Sequence, residues 1–138
     1  MFTIERTYNA PVSKVWQAIT DRDQMKKWYF DIATFEAKPG FEFQFDGKGN
    51  EGQLYVHLCK VIEVIPGKKL SHTWSYKGRE GMSTVTWELF AEGDQTRVKL
   101  THEGLESFAG NGPDFAPENF SQGWTHILGK GLKEFAES

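Results

Sequence analysis

Residues 117–138 read PENFSQGWTHILGKGLKEFAES, and the rest of the fold is inferred outward from this stretch. Phe120, Trp124, Ile127, Leu128, Leu132 and Phe135 recur at helical spacing and predict one long helix with a single apolar stripe. His126, Lys130, Lys133, Glu134 and Glu137 fall on the opposite, wet face. Pro117 suits a first helical turn, and Asn119 with Gln122 stands in capping-box register. At about 1.5 Å per residue the helix spans roughly 30 Å, the width of a small domain. It therefore needs a broad apolar surface to lie on.

The preceding residues are patterned to supply that surface. Phe2 to Asn9 alternates like a strand, and Pro11 then opens a short helix with Val12, Val15, Trp16 and Ile19 on one side. Asp21 is placed to cap a second short helix containing Met25 and Trp28. From Phe35 the period changes to two. Phe41, Phe43 and Phe45 form one face; Leu70, His72, Trp74 and Tyr76 another; then come Val85, Trp87 and Leu89, and finally Val98, Leu100 and His102. Between them Leu54 to Ile65 is a long strand with two mixed faces, interrupted by Lys60, and its pattern leaves the inward face open; a bulge near Lys60 would re-aim it. Gly104 to Ala116 reads as a loop whose Leu105, Phe108 and Phe115 are available to plug an opening. The order predicts a single α+β domain over residues 1–138.

Composition narrows the function. A net charge of −3, evenly spread, argues against nucleic acid as a partner, and no apolar run is long enough for membrane insertion. With no signal-peptide pattern and Cys59 the sole cysteine, a cytoplasmic protein is expected. Twenty aromatic residues (11 Phe, 5 Trp, 4 Tyr) are core material, and also what lines a lipophilic pocket.

No motif points to a cofactor. Gly47-Lys48-Gly49-Asn50-Glu51-Gly52 matches a dinucleotide fingerprint literally, but it lies between strands rather than between a strand and a helix, so it reads as a hairpin turn. His57, His72, His102 and His126 are scattered, with no metal-binding spacing. His72 and Tyr76 share one strand face and form the pair to weigh for acid-base work; no catalytic residue is assigned. Cys59 reads as a small hydrophobe.

The ordered series Ala10-Pro11-x-x-x-Val15-Trp16-x-Ala18-Ile19-Thr20-Asp21, Trp28, Val61-x-Glu63-Val64-x-Pro66 and Leu70-x-x-Thr73-Trp74 carries a resemblance, which continues with Ser83-Thr84-Val85-Thr86-Trp87-x-Leu89, Thr96-Arg97-Val98-x-Leu100-Thr101-His102-x-Gly104 and Gly123-Trp124-x-x-x-Leu128. In these motifs the chain resembles the family homologous to the C-terminal part of the activator of the heat-shock protein 90 ATPase. That family belongs to the helix-grip class of START domains and the birch-pollen allergen. The resemblance implies a curved antiparallel sheet wrapped around the long C-terminal helix, with two short helices after the first strand and often a hydrophobic cavity between sheet and helix. It also implies binding of a small lipid-like or aromatic molecule. The expected lining is Phe43, Phe45, His72, Trp74, Tyr76, Val85, Trp87, Trp124 and Leu128. Relatives that are cyclases supply the alternative, an enzyme using His72 or Tyr76 for proton transfer; a surface interaction module is a third reading. The 138 residues leave no room for the eukaryotic activator's N-terminal chaperone-engaging domain.

Overall fold

In the computed structural model, six strands form one antiparallel sheet that curves around a long C-terminal helix; residues 1–48 and 52–138 are described. Strand β1 (Phe2–Tyr8) leads into α1 (Val12–Thr20) and α2 (Arg22–Trp28). Then follow β2 (Glu42–Lys48), β3 (Leu54–Ile65), β4 (Lys69–Tyr76), β5 (Ser83–Glu92) and β6 (Gln95–Glu103). The spatial order is β1-β6-β5-β4-β3-β2, so β1 returns to pair with the last strand while the others are joined in sequence. Gly49 to Glu51, the centre of the glycine-rich hairpin reading, lies outside the described residues; the strands on either side pair antiparallel from Lys48–Leu54 to Glu42–Lys60.

The two short helices are placed by local chemistry. Pro11 precedes α1, and the Asp21 carboxylate accepts from the Asp23 N–H at 2.9 Å at the start of α2. The Trp28 indole N–H donates to the Ala18 carbonyl at 2.8 Å, tying the two helices together.

Strand β3 settles a question that its own pattern leaves open. Tyr55, His57, Cys59 and Val61 face inward, whereas Leu54, Val56 and Leu58 lie on the outer face. Antiparallel partners share a face, and Phe45 pairs with His57 and Phe43 with Cys59. A bulge between Val61 and Glu63 then inverts the parity, so that Val64 rather than Glu63 turns toward the core.

Gly104 to Ala116 is not an open loop. It folds into two 3₁₀ segments, Leu105–Asn111 and Pro113–Phe115, that bury Leu105, Phe108 and Phe115. Ser107 accepts from the Met82 N–H and donates to a carbonyl, and Asn111 bonds both backbone groups of Glu80, so the first segment is fastened to the β4–β5 hairpin.

The C-terminal helix begins at Pro117 as expected, but the capping box does not form. The N-cap is Ala116, and the Asn119 amide donates instead to the Pro113 carbonyl at 2.9 Å. The helix has three parts: α3 (Pro117–His126), a π segment (Ile127–Leu132) and α4 (Lys133–Ala136). Phe120, Trp124, Leu128, Leu132 and Ala136 are its buried positions, four residues apart throughout. On an ideal α-helix a four-residue spacing drifts by about 40° per step, and over four steps the stripe would wander to the far side. The wider π turns, bonded i to i+5, take up that drift and keep the stripe on the sheet. The buried Tyr8 hydroxyl donates to the Leu128 carbonyl at 2.7 Å, inside this segment.

Candidate functional site

The sheet and helix do not close on each other everywhere. Between β2, β3 and β4 on one side and α3 on the other lies a half-open cavity of about 620 Å³. Strand alternation points Tyr55 and His57 from β3, and Trp74 and Tyr76 from β4, into it. Trp28, Tyr29 and Phe30, where α2 ends, form a second wall. Phe115 and Phe120 close one end, and Trp124 with Ile127 comes from the helix.

The rings support one another. Phe45 stacks between neighbours, on Phe30 at 4.3 Å and on His57 at 4.5 Å between ring centres. Tyr76 stands edge-on to His57 at 4.7 Å and to Phe115 at 4.8 Å, and Trp74 meets Trp124 at 5.5 Å. Such edge contacts fix ring orientations as well as positions. Two glycines make the space. A Cβ on Gly47 would sit 2.7 Å from the His57 ring, so glycine is what lets that imidazole lie flat against β2. A Cβ on Gly123 would meet nothing within 4 Å. Gly131 is the opposite case, since its Cβ would lie 3.0 Å from the Trp28 carbonyl. The small residues of this helix thus serve both purposes: Gly131 allows close packing and Gly123 leaves room.

The polar groups are few and most are committed. The Tyr55 hydroxyl donates to the Asp114 carboxylate at 2.6 Å, with the Arg79 guanidinium 5.2 Å over the Tyr55 ring. His57 Nδ1 lies 3.1 Å from the Tyr55 carbonyl; a carbonyl only accepts, so Nδ1 carries the proton. Burial pushes the His57 pKa down to about 4, partly offset by the Tyr55 and Phe45 carbonyls, so the ring is neutral at pH 7. The Trp74 indole N–H donates to the Tyr76 hydroxyl oxygen at 2.8 Å, and burial drives the Tyr76 pKa upward, keeping the phenol protonated. Among the described residues, the Tyr29 hydroxyl is the one buried side-chain polar atom without a partner, and its burial raises the phenol's pKa.

Of the residues expected to line a cavity, Trp74, Tyr76 and Trp124 lie on the large one. Phe43, His72 and Trp87 border a separate void of about 10 Å³ under α1 and α2, room for no more than a single water. Phe45 stands behind His57, and Val85 and Leu128 are wholly buried in packed core. His72 and Tyr76 share a strand face but open on different spaces, with Trp74 between them. His72 is held by the Thr73 carbonyl at 2.9 Å, and burial lowers its pKa to about 4. This separation leaves the pair weighed for proton transfer without a shared site. His102 is structural: Nδ1 accepts from the Trp124 indole N–H at 3.0 Å, so Nε2 bears the proton toward Ser83 Oγ at 2.8 Å, and Ser83 donates to the Trp74 carbonyl. Burial, with a smaller contribution from His72, brings the His102 pKa to about 3. The sequence reading missed Tyr29, Phe30, Tyr55, His57, Phe115, Phe120 and Ile127. The β2–β3 register would have found two of them, because the partner of Phe45 must share its face.

A curved antiparallel sheet gripping a C-terminal helix around an aromatic cavity defines a helix-grip domain. Residues 9–137 match the family model described as Activator of Hsp90 ATPase homolog 1-like protein, and the chain belongs to that family. Among solved structures it is similar to protein CV1439 from Chromobacterium violaceum (22% identity, TM-score 0.83), covering 99% of this chain and 96% of that one. It is also similar to CalU16 from Micromonospora echinospora (24% identity, TM-score 0.74, covering 99% and 74%). DynU16, a protein in the dynemicin biosynthetic locus, matches at 23% identity and TM-score 0.79 over 99% of this chain, which spans only 46% of DynU16. At these identities the likeness is one of fold. No curated protein matches the chain.

Proposed function

We propose that this domain binds a small, mostly apolar molecule built around a flat ring system in the cavity between β2–β4 and α3. The observation that carries this reading is the 620 Å³ space walled by aromatic side chains from five separate segments. Its size falls within the range of roughly 300–1,000 Å³ for small-molecule sites. Rigid rings present flat faces, and parallel or edge contact with a planar guest adds to the burial, worth about 25 cal/mol per Å² of apolar area. A lipid chain would gain the burial without the ring contacts, so the aromatic half of the expectation is preferred. Membership in the Activator of Hsp90 ATPase homolog 1-like family, whose fold is known for ligand binding, supports the reading. A cytoplasmic setting suits the buried, unpaired Cys59 and belongs to the same proposal.

Gly123 provides the test. Gly123→Leu places a side chain into open space without touching its neighbours, so the thermal midpoint should hold while the cavity fills. Naphthalene titrated against tryptophan fluorescence should bind the wild type and bind Gly123→Leu at least tenfold more weakly. Equal binding by a stable Gly123→Leu protein would remove the cavity as the site. Native mass spectrometry of protein purified from its own host would then identify the resident molecule.

A further inference from the structure

Resting on the binding role just proposed, the geometry points to a second level of selection: we infer that His57 and Tyr76 together recognise a hydroxyl group on the ring system, so that the preferred ligand is a neutral phenol-type aromatic.

The argument follows from which hydrogen-bonding valences are already used. An indole N–H can only donate, so the Trp74 bond obliges the Tyr76 oxygen to accept. The Tyr76 proton must then be offered elsewhere, and no acceptor for it exists among the described residues. His57 shows the complementary polarity. Its Nδ1–H is fixed on the Tyr55 carbonyl, which leaves Nε2 of the neutral ring as a lone-pair acceptor. The two rings are 4.7 Å apart between centres, yet no hydrogen bond joins them. One donor and one acceptor therefore stand side by side on the same wall of the cavity, each held by a protein partner on its other side.

A ligand hydroxyl satisfies both with one oxygen, accepting from Tyr76 and donating to His57. An ether satisfies only Tyr76, and a bare hydrocarbon neither. A carboxylate is disfavoured, because it cannot donate to His57 and would carry its charge into a wall of neutral rings. The Asp114 carboxylate, already bonded to Tyr55, adds to that bias at the rim.

Three probes of the same shape separate these possibilities: naphthalene, 2-methoxynaphthalene and 2-naphthol, titrated at pH 7.5 against the wild type, His57→Leu and Tyr76→Phe. In the wild type 2-naphthol should bind about three- to tenfold tighter than its methyl ether, as expected for one neutral hydrogen bond. His57→Leu should bring that ratio close to one while leaving naphthalene affinity within about twofold. Tyr76→Phe should weaken 2-naphthol and its methyl ether alike and preserve their ratio. Steric exclusion of the methyl group would survive in His57→Leu, so a ratio unchanged there overturns the inference. If naphthalene and 2-naphthol bind the wild type equally, the hydroxyl preference fails and the cavity reading stands. If none of the three binds, the cavity reading itself fails. Should Tyr76→Phe not fold, the wild-type ladder and His57→Leu still decide.

Discussion

The two ends of this one sheet are built from different materials. Where β1, β5 and β6 meet the C-terminal half of the helix, Val85, Val98, Leu100, Leu128 and Leu132 are all fully buried, and no cavity opens among them. Where β2, β3 and β4 face α3, the side chains are aromatic and a cavity of about 620 Å³ remains. Branched aliphatic side chains interlock at different angles and fill what lies between them. Aromatic rings are rigid plates that prop one another edge to face, and the angles between plates cannot close. The same helix serves both ends, so it is side-chain shape, not backbone placement alone, that decides which end stays open.

Acid should act on both ends at once and produce the largest effect. His72 and His102 are buried in packed core and His57 lines the cavity; burial holds all three neutral, with pKa values lowered to about 4, 3 and 4 respectively. In the unfolded chain each titrates near 6.5. Above that pH their burial carries no protonation cost. Below it the unfolded state binds up to three more protons than the folded state, and stability falls by up to about 4 kcal/mol per pH unit until the folded values are reached. Urea unfolding at pH 7 and pH 5 should show a loss of about 6 kcal/mol. A flat profile across that interval would mean the histidines are not held neutral.

Truncation should then distinguish the ends. Trp124 is 2% exposed and supplies the donor for His102, so Trp124→Ala should cost about 3–5 kcal/mol. Phe30 already faces open space, and Phe30→Ala should lose little beyond its stack on Phe45, about 0.5–1.5 kcal/mol. Equal losses in chemical denaturation would break the distinction between filled and open ends. The finest probe is the glycine pair. Gly131→Ala forces a methyl against the Trp28 carbonyl and should destabilise by about 1 kcal/mol, while Gly123→Ala meets no neighbour and should stabilise by up to about 1 kcal/mol through helix propensity. Changes of the same sign in thermal unfolding would contradict the assignment of close packing to one and free space to the other.

Legibility in the sequence follows the same division. Wherever apolar residues kept a strict period, the element and its buried face could be read: β1, α1, β4, β5, β6 and the helix stripe. Strand β3 resisted because Leu54, Val56 and Leu58 point outward, leaving Leu54 60% exposed, while the less apolar Tyr55 and His57 point in. There hydrophobicity ranks the faces in the wrong order, and pairing with β2 overrides it. Trp28-Tyr29-Phe30 has no period at all, so its role as a cavity wall depends on where the end of α2 lands. The proposed lining mixed two spaces because one strand face, that of β4, passes from the small void at His72 to the large cavity at Tyr76. Periodicity gives the side of a strand a residue occupies, but not how far along it the helix lifts away.

The π segment has a consequence for how this gene can change. Its widened turns hold the four-residue spacing of Phe120, Trp124, Leu128, Leu132 and Ala136 in line, and the chain beyond it is anchored at a distance: Glu137 accepts from the Asn9 N–H at 2.9 Å, and the Ser138 carbonyl accepts from Lys14 at 2.7 Å. Removing one codon between 127 and 132 would let the segment relax to an ordinary α-helix and swing everything after it by about 100° relative to α3. Leu132 and Ala136 would leave the sheet, and both distant anchors would be lost. Substitutions at the exposed positions of this helix are cheap, whereas a change in its length is not. Sequences descending from the same ancestor should therefore align through residues 124–136 without a gap, even where few of the residues are shared.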